Sequence, residues 1–250
     1  MAEPVMDFIT QNVNNNTTLP KMLPLMHSCE AFDFEEIIRE NQLKPMVCSV
    51  FNKQLLYFFY GKPSYPVGGK DNLNRTDALC CPVCLIIDLD KIDIYRVFPF
   101  DSGAFNRSLY DNFLHKHMKI EKFELDNNSN AIRSYISVVF GNNENYIKGL
   151  AKQDLHSDDS CVIALLNLLN AKGSFTVDER ANTVEIICKD PVDVSKEVKG
   201  IVLPESMLRK QEINRFIEKN KIPVKTYEVR MLTSPLRYNE IVFQNALEFV

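Results

Sequence analysis

No stretch of this 250-residue chain approaches the roughly 18 consecutive apolar residues that a membrane-spanning helix needs. The longest apolar runs are Val83–Ile87 and Cys161–Leu169. Met1–Thr18 holds acids and asparagines, with neither a basic start nor an apolar stretch, so no secretory signal is expected. Positive charge is not in surplus. Lys and Arg number 29 against 33 Asp and Glu, a net charge of −4. Wholesale binding to nucleic acid or a membrane surface is therefore not expected, although a local basic patch is compatible with the total. No repeat of roughly 20–50 residues is present, which sets aside solenoids and propellers. The phosphate-binding Walker loop, the Gly-x-Gly-x-x-Gly turn and the Gly-x-Ser-x-Gly elbow are all missing. Cys80, Cys81 and Cys84 cluster, but no second pair completes a zinc spacing. His115 and His117, two apart on an expected helix, would point to different faces.

What is present is an ordinary globular mix, 45% apolar and 25% charged. Seven cysteines, an odd number in a chain long enough to fold without staples, fit a reduced, cytoplasmic compartment. Leu23–Met26 reads as a strand ending at His27. Ala31, Phe34, Ile37 and Ile38 then mark one face of a helix over Glu30–Glu40, with Ser28 as its N-cap. Met46–Val50 and Leu55–Tyr60 read as strands. Gly61–Cys80, rich in Gly and Pro, reads as a long loop of the kind that usually serves function. Further strands are expected at Val83–Leu89, Ile92–Phe98, Val184–Lys189, Val198–Leu203, Val224–Met231 and Tyr238–Phe243. Helices are expected at Phe105–Lys119, Asp158–Ala171 and Glu205–Asn220. With no linker visible, the pattern predicts one α+β domain over 1–250, with an unassigned insertion around 100–200.

Three segments stand out together. They are Leu25-Met-His-Ser28 followed by Leu43-Lys-Pro45, then Leu55-Leu-Tyr-Phe-Phe-Tyr-Gly-Lys-Pro-Ser-Tyr65, and last Arg237-Tyr-Asn-Glu-Ile-Val-Phe243. In this order they resemble the His-Tyr-Glu class of ADP-ribosyltransferases, the class of poly(ADP-ribose) polymerases and diphtheria toxin. There a strand ends in His and a small residue, a later strand carries a tyrosine, a Ser-x-x-Tyr segment supplies a second, and a late strand carries a glutamate. The resemblance covers about 45 residues near the front and ten at the end. Ser28 stands where glycine is common, and Asn41-Gln42 where another glycine is usual. Tyr65 follows Tyr57 by only eight positions, so Tyr60 competes for a tyrosine role.

The resemblance implies split antiparallel sheets flanked by helices and NAD as substrate. It implies His27, Tyr57 and Glu240 as the catalytic set, lining one cleft. It also implies NAD contacts from His27, Ser28, Tyr57, Tyr60 and Tyr65. Glu240 would stabilise the oxocarbenium-like charge that develops on the ribose as nicotinamide leaves. Set among Tyr238, Ile241, Val242 and Phe243, it would be partly desolvated. Tyr65 or Tyr57 would stack on nicotinamide, the Ser28 backbone would hold its amide, and His27 would donate to a ribose hydroxyl. For the diphosphate, which needs cations or backbone N–H groups, the nearest candidates are Lys62, Arg75 and the Gly68-Gly69 loop, and Ser64 is a further NAD-contact candidate. Glu144, in a polar turn, is a second carboxylate candidate. The acceptor implied is a macromolecule, protein or nucleic acid. Arg107, His115, Lys116, His117, Lys119 and Lys122, interleaved with Tyr110 and Phe113, offer cations and aromatics for the latter. Relatives include toxins and phage-defence effectors, for which an antitoxin or inhibitor protein is a partner. The alternative is a non-catalytic module that binds NAD, ADP-ribose or a protein on the same fold.

Overall fold

The computed structural model describes residues 3–14, 18–65, 78–171, 179–230 and 235–250. The chain divides into two compact units, one built from 1–22, 48–52 and 94–187 and the other from 23–47, 53–93 and 188–250. The second unit holds His27, Ser28, Tyr57, Tyr65 and Glu240.

In that unit, β1 (Leu25–Glu30) leads into α1 (Ala31–Glu40). There follow β2 (Lys53–Tyr60), β3 (Pro82–Ile87), β4 (Val198–Pro204), α2 (Gln211–Asn220), β5 (Val224–Tyr227) and α3 (Pro235–Leu247). The strands lie in the order β5-β4-β3-β1-β2, antiparallel throughout except for the parallel pair β5–β4. Gln42–Leu43 and Val192–Asp193 form a separate small antiparallel pair. The class is α+β, with a mostly antiparallel sheet flanked by helices. Every residue of β3 is buried, as an unbroken apolar run requires of a central strand covered on both faces.

Ser28 is not a helix cap. It belongs to β1, and α1 starts directly after the strand with Glu30 in the N-cap position. Ala31, Phe34 and Ile38 are the buried face of α1, and Asn41 ends it in the left-handed region at φ 57°. Asn tolerates that conformation better than most residues. Its side-chain amide donates to Asp193 Oδ1 at 3.1 Å and Ser195 Oγ at 3.2 Å, which ties the turn to the small strand pair.

The main correction concerns the last segment. Tyr238–Phe243 is not a strand but part of α3. Tyr238, Val242 and Ala246, at a spacing of four, pack with Met26, Cys84, Ile86 and Val202 on one face of the sheet. That continuing stripe makes helix the better solution, because four-residue spacing keeps the three side chains on one face. At Gly200 in β4, an added Cβ would lie 2.4 Å from Phe249 Cε1, so the bare backbone there makes room for the ring that follows α3.

In the first unit, Arg96–Phe98 pairs antiparallel with Glu185–Cys188. The expected helix over Phe105–Lys119 is replaced by a short helix, Ser102–Asn106, and a run of turns. Ser108 sits at φ 60°, which interrupts the helical path. In those turns the His115 and His117 rings come edge to face at 5.1 Å instead of pointing apart. The helix Ser129–Tyr135 continues directly into a wider helical turn over Ile136–Phe140. In the second unit, Glu205–Asn220 is divided by the extended Lys210 into a short 3-10 turn and α2.

Glu185 in the first unit is 3% exposed and accepts from the Ser102 N–H at 3.2 Å. Burial pushes its carboxyl well above the usual range, and the nearby Asp101 charge adds to this. The folded form therefore binds a proton that the unfolded chain releases earlier. Stability should be fullest below the ordinary Glu range and decline as pH rises from there toward the raised folded value. Glu185→Gln should flatten that decline in urea-unfolding midpoints from pH 5 to 8. An unchanged slope would mean that the carboxyl is ionised in the fold.

Candidate active site

β1 and β3 stay paired to the end, from Leu25↔Ile87 to Glu30↔Pro82. β1 and β2 pair only at Leu25↔Tyr60 and Met26↔Phe59. Past Met26 these two strands part and leave a fork. His27 fills its root. Its ring meets Phe58 edge to face at 5.7 Å, and its Nδ1 lies 2.9 Å from the Tyr57 carbonyl that the ladder has released.

A carbonyl only accepts, so Nδ1 carries the hydrogen, an assignment that follows from the bond partner. Burial lowers the His27 pKa and outweighs the opposing pulls of the Tyr57 carbonyl and the Asp33 charge. The ring is neutral at neutral pH, and Nε2 is left as an acceptor. With Nδ1–H committed to Tyr57, Nε2 is the acceptor side of the ring, where the resemblance implies a donor. Asp33, in the first turn of α1, was not singled out in the sequence, yet it is the carboxylate whose charge acts on His27.

Side chains alternate along β1. Met26 and Ser28 share a face with Cys84 and Ile86, while Leu25, His27 and Cys29 point to the other. Ser28 Oγ donates to Tyr65 Oη at 3.1 Å, and Tyr65 packs against the Met26–Cys84 cluster. Gly61 lies between β2 and Tyr65 along the chain. It sits at φ +70°, and a Cβ there would come within 2.4 Å of Leu23 Cδ1. Burial raises the Tyr65 hydroxyl well above its ordinary value and the Cys84 thiol to about 12, so both stay uncharged. Cys29 is raised further still, which leaves neither thiol fit to act as a nucleophile.

The remaining candidates divide. Tyr60 is fully buried, and its hydroxyl accepts from the Leu23 N–H at 2.9 Å, a bond that holds the chain entering β1. Lys62 and Ser64, expected as NAD contacts, are 2% and 5% exposed and so are buried in the fold. Ser64 Oγ has no hydrogen-bond partner. Arg75 and most of the Gly61–Cys80 loop lie outside the described residues. Glu240 is exposed, on the solvent side of α3, instead of partly desolvated in a strand. Its helix covers the Ser28 face of the sheet, while the His27 side chain points to the opposite face. The structure thus joins His27 to the Tyr57 backbone and Ser28 to Tyr65, but does not bring Glu240 to His27. Glu144 is exposed and paired with Lys148 on its own short helix, which holds its carboxyl below the usual range. Among the described residues no group of three or more His, Cys, Asp or Glu could hold a metal ion, and no helix is long and apolar enough to cross a membrane.

No family profile and no curated protein sequence matches the chain. Among solved structures it is similar to DarT of Thermus sp. 2.9 in complex with NAD+, with a TM-score of 0.42 and 10% identity. The alignment covers 84% of this chain and 98% of that one.

Proposed function

We propose that this protein is an NAD-dependent ADP-ribosyltransferase acting on a macromolecular acceptor, protein or nucleic acid. The observation that carries the reading is the fork past Met26, where β1 presents neutral His27 on one face and Ser28, bonded to Tyr65, on the other. A strand end released from its neighbour suits the nicotinamide amide, which needs one donor and one acceptor. A tyrosine ring beside it suits the flat nicotinamide face. His27 Nε2 accepts from a ribose hydroxyl. In the reaction the bond between ribose C1′ and the nicotinamide nitrogen breaks, and its electron pair leaves with nicotinamide. The acceptor's nucleophile forms the new bond to C1′ and gives up its proton. Toxin or defence roles, and an inhibitor protein to restrain them, follow only if the acceptor is essential to the cell.

The exposed position of Glu240 favours a second reading, a module that binds NAD or ADP-ribose without turnover. Labelled NAD incubated with a cell lysate, followed by separate nuclease and protease digestion, separates the two. Label retained on either polymer supports the transferase, whereas NAD binding with no labelled product supports the module. Glu240→Gln adds a geometric check. With α3 as described, transfer should change by no more than about twofold, the scale of a surface substitution worth ~0.5 kcal/mol. A fall of roughly 10²–10³-fold, the scale for one lost electrostatic contact to a transition state, would require α3 to rearrange and deliver that carboxylate to the sugar.

A further inference from the structure

The surface between β5 and α3 is indented by a groove of about 370 Å³. Its floor is Tyr227, Tyr238 and Ile241, and Arg230, Arg237 and Glu228 stand around it. The tyrosine rings lie 5.5 Å apart, and their hydroxyls are already committed. Tyr227 Oη donates to the Pro82 carbonyl at 2.6 Å. Tyr238 Oη accepts from the Arg230 N–H at 2.7 Å and donates to the Arg230 carbonyl at 2.9 Å. The floor therefore presents carbon surface. The Arg230 main chain is pinned on both sides, and Arg237 springs from α3 one residue before the buried Tyr238.

The two guanidinium groups differ in their engagements. Arg230 pairs with Glu228 at 3.1 Å, but both side chains are mostly exposed and the bond is worth little. Arg237 is exposed and makes no hydrogen bond or ion pair among the described residues. Glu228 offsets one of the two positive charges and leaves the groove with a net positive charge. A planar guanidinium matches the oxygens of a phosphate two at a time, and a phosphate would outcompete a solvated carboxylate for Arg230. The volume falls in the range of small-molecule sites.

We propose that this groove binds a nucleoside diphosphate, with the phosphates on Arg230 and Arg237 and the flat base against the tyrosine and isoleucine floor. The source rests on the transferase reading, which supplies such a group as the ADP half of NAD. The groove lies on the sheet face that carries Ser28 and Tyr65, because Tyr65 and Ile241 pack against one cluster.

Calorimetric titration with ADP, pyrophosphate and adenosine tests the assignment on the intact chain. ADP should bind saturably, more weakly as salt is raised, and pyrophosphate should compete with it. Adenosine should bind far more weakly than ADP. Arg230→Gln and Arg237→Gln should each weaken ADP about tenfold or more, the scale of one charge-assisted contact. Both residues are exposed, so far-UV dichroism and the thermal midpoint should not move. No ADP binding to the wild type, no competition by pyrophosphate, or unchanged binding in the double variant would overturn the proposal. Arginine-dependent ADP binding without any labelled transfer would leave the groove standing and remove the transferase. Transfer with an unaltered KM for NAD in the double variant would do the reverse.

Discussion

His27→Ala is expected to weaken NAD binding about tenfold and to cut transfer at low NAD by more than that. Two losses combine. The acceptor Nε2 for the ribose hydroxyl disappears, and the Tyr57 carbonyl loses its Nδ1–H partner where the β1–β2 ladder has ended. Losing one hydrogen bond of this kind costs about 0.5–1.5 kcal/mol, so the variant should also unfold at lower urea. Calorimetry with NAD and the labelled-transfer assay read the first loss, and the urea midpoint reads the second. The pH dependence has a definite sign. The His27 pKa is lowered in the fold, so its stability contribution is complete above the ordinary His range and is lost as pH falls through the lowered value. NAD binding should accordingly be level through neutral pH and decline only on the acid side. His27→Ala should remove that acid decline. Unchanged NAD affinity in His27→Ala would remove His27 from the site.

Val242→Asp should be the most damaging change to the fold. Val242 is fully buried on the inner face of α3, among Met26, Cys84 and Ile86. A carboxylate there has no partner. Burying an unpaired charge belongs to the short list of changes that cost about 4 kcal/mol or more, which corresponds to a fall in Tm of roughly 8–16 °C for a chain this long. Glu240→Val is the matched comparison. On a helix, residues 240 and 242 point to nearly opposite sides, so a valine at 240 should leave Tm almost unaltered. On a strand the two would share a face, and changes at both positions should strike the core together. Comparable losses from the two variants would therefore reinstate the strand.

That pair also marks where the sequence was legible. α1 and β2 are readable because their apolar spacing persists over most of each element and Asn41 or a turn closes it. β1 is legible only at Leu25 and Met26, since Ser28–Glu30 are strand through their pairing with β3 and carry no apolar alternation. Tyr238–Phe243 is six residues long and fits both periods. Only Ala246 and Phe249, beyond the motif, settle it as a helix by continuing the buried stripe. Phe105–Lys119 has apolar residues at helical intervals, but the left-handed Ser108 has no sequence signal of its own, since serine is not a usual occupant of that region. His27 and Tyr57 are singled out by the sequence and meet in the fold, but the tautomer of the ring depends on a carbonyl 30 positions away that no spacing rule reveals. Ser28 reads as a cap because it precedes an acidic first turn. Its bond to Tyr65 joins residues 37 positions apart, which no local pattern reveals. The burial of Lys62 contradicts every expectation for lysine in a Gly/Pro-rich stretch, because burial belongs to the tertiary fold and leaves no trace in composition.

The order of the strands along the chain sets the order in which the sheet can form. β1, β2 and β3 are near neighbours in sequence and can pair as soon as they have left the ribosome. β4 must find β3 across an intervening segment of roughly 110 residues, and closing so long a loop costs about 1.5 kcal/mol more than closing a 20-residue one. The parallel partner β5 and the covering helix α3 come later still. Until β4 docks, any pairing of β1, β2 and β3 would leave the edge of β3 unpaired and the Met26–Cys84 face bare. An unpaired apolar strand edge of that kind is a template for aggregation, so late docking of β4, β5 and α3 lengthens the time for which a new chain carries one.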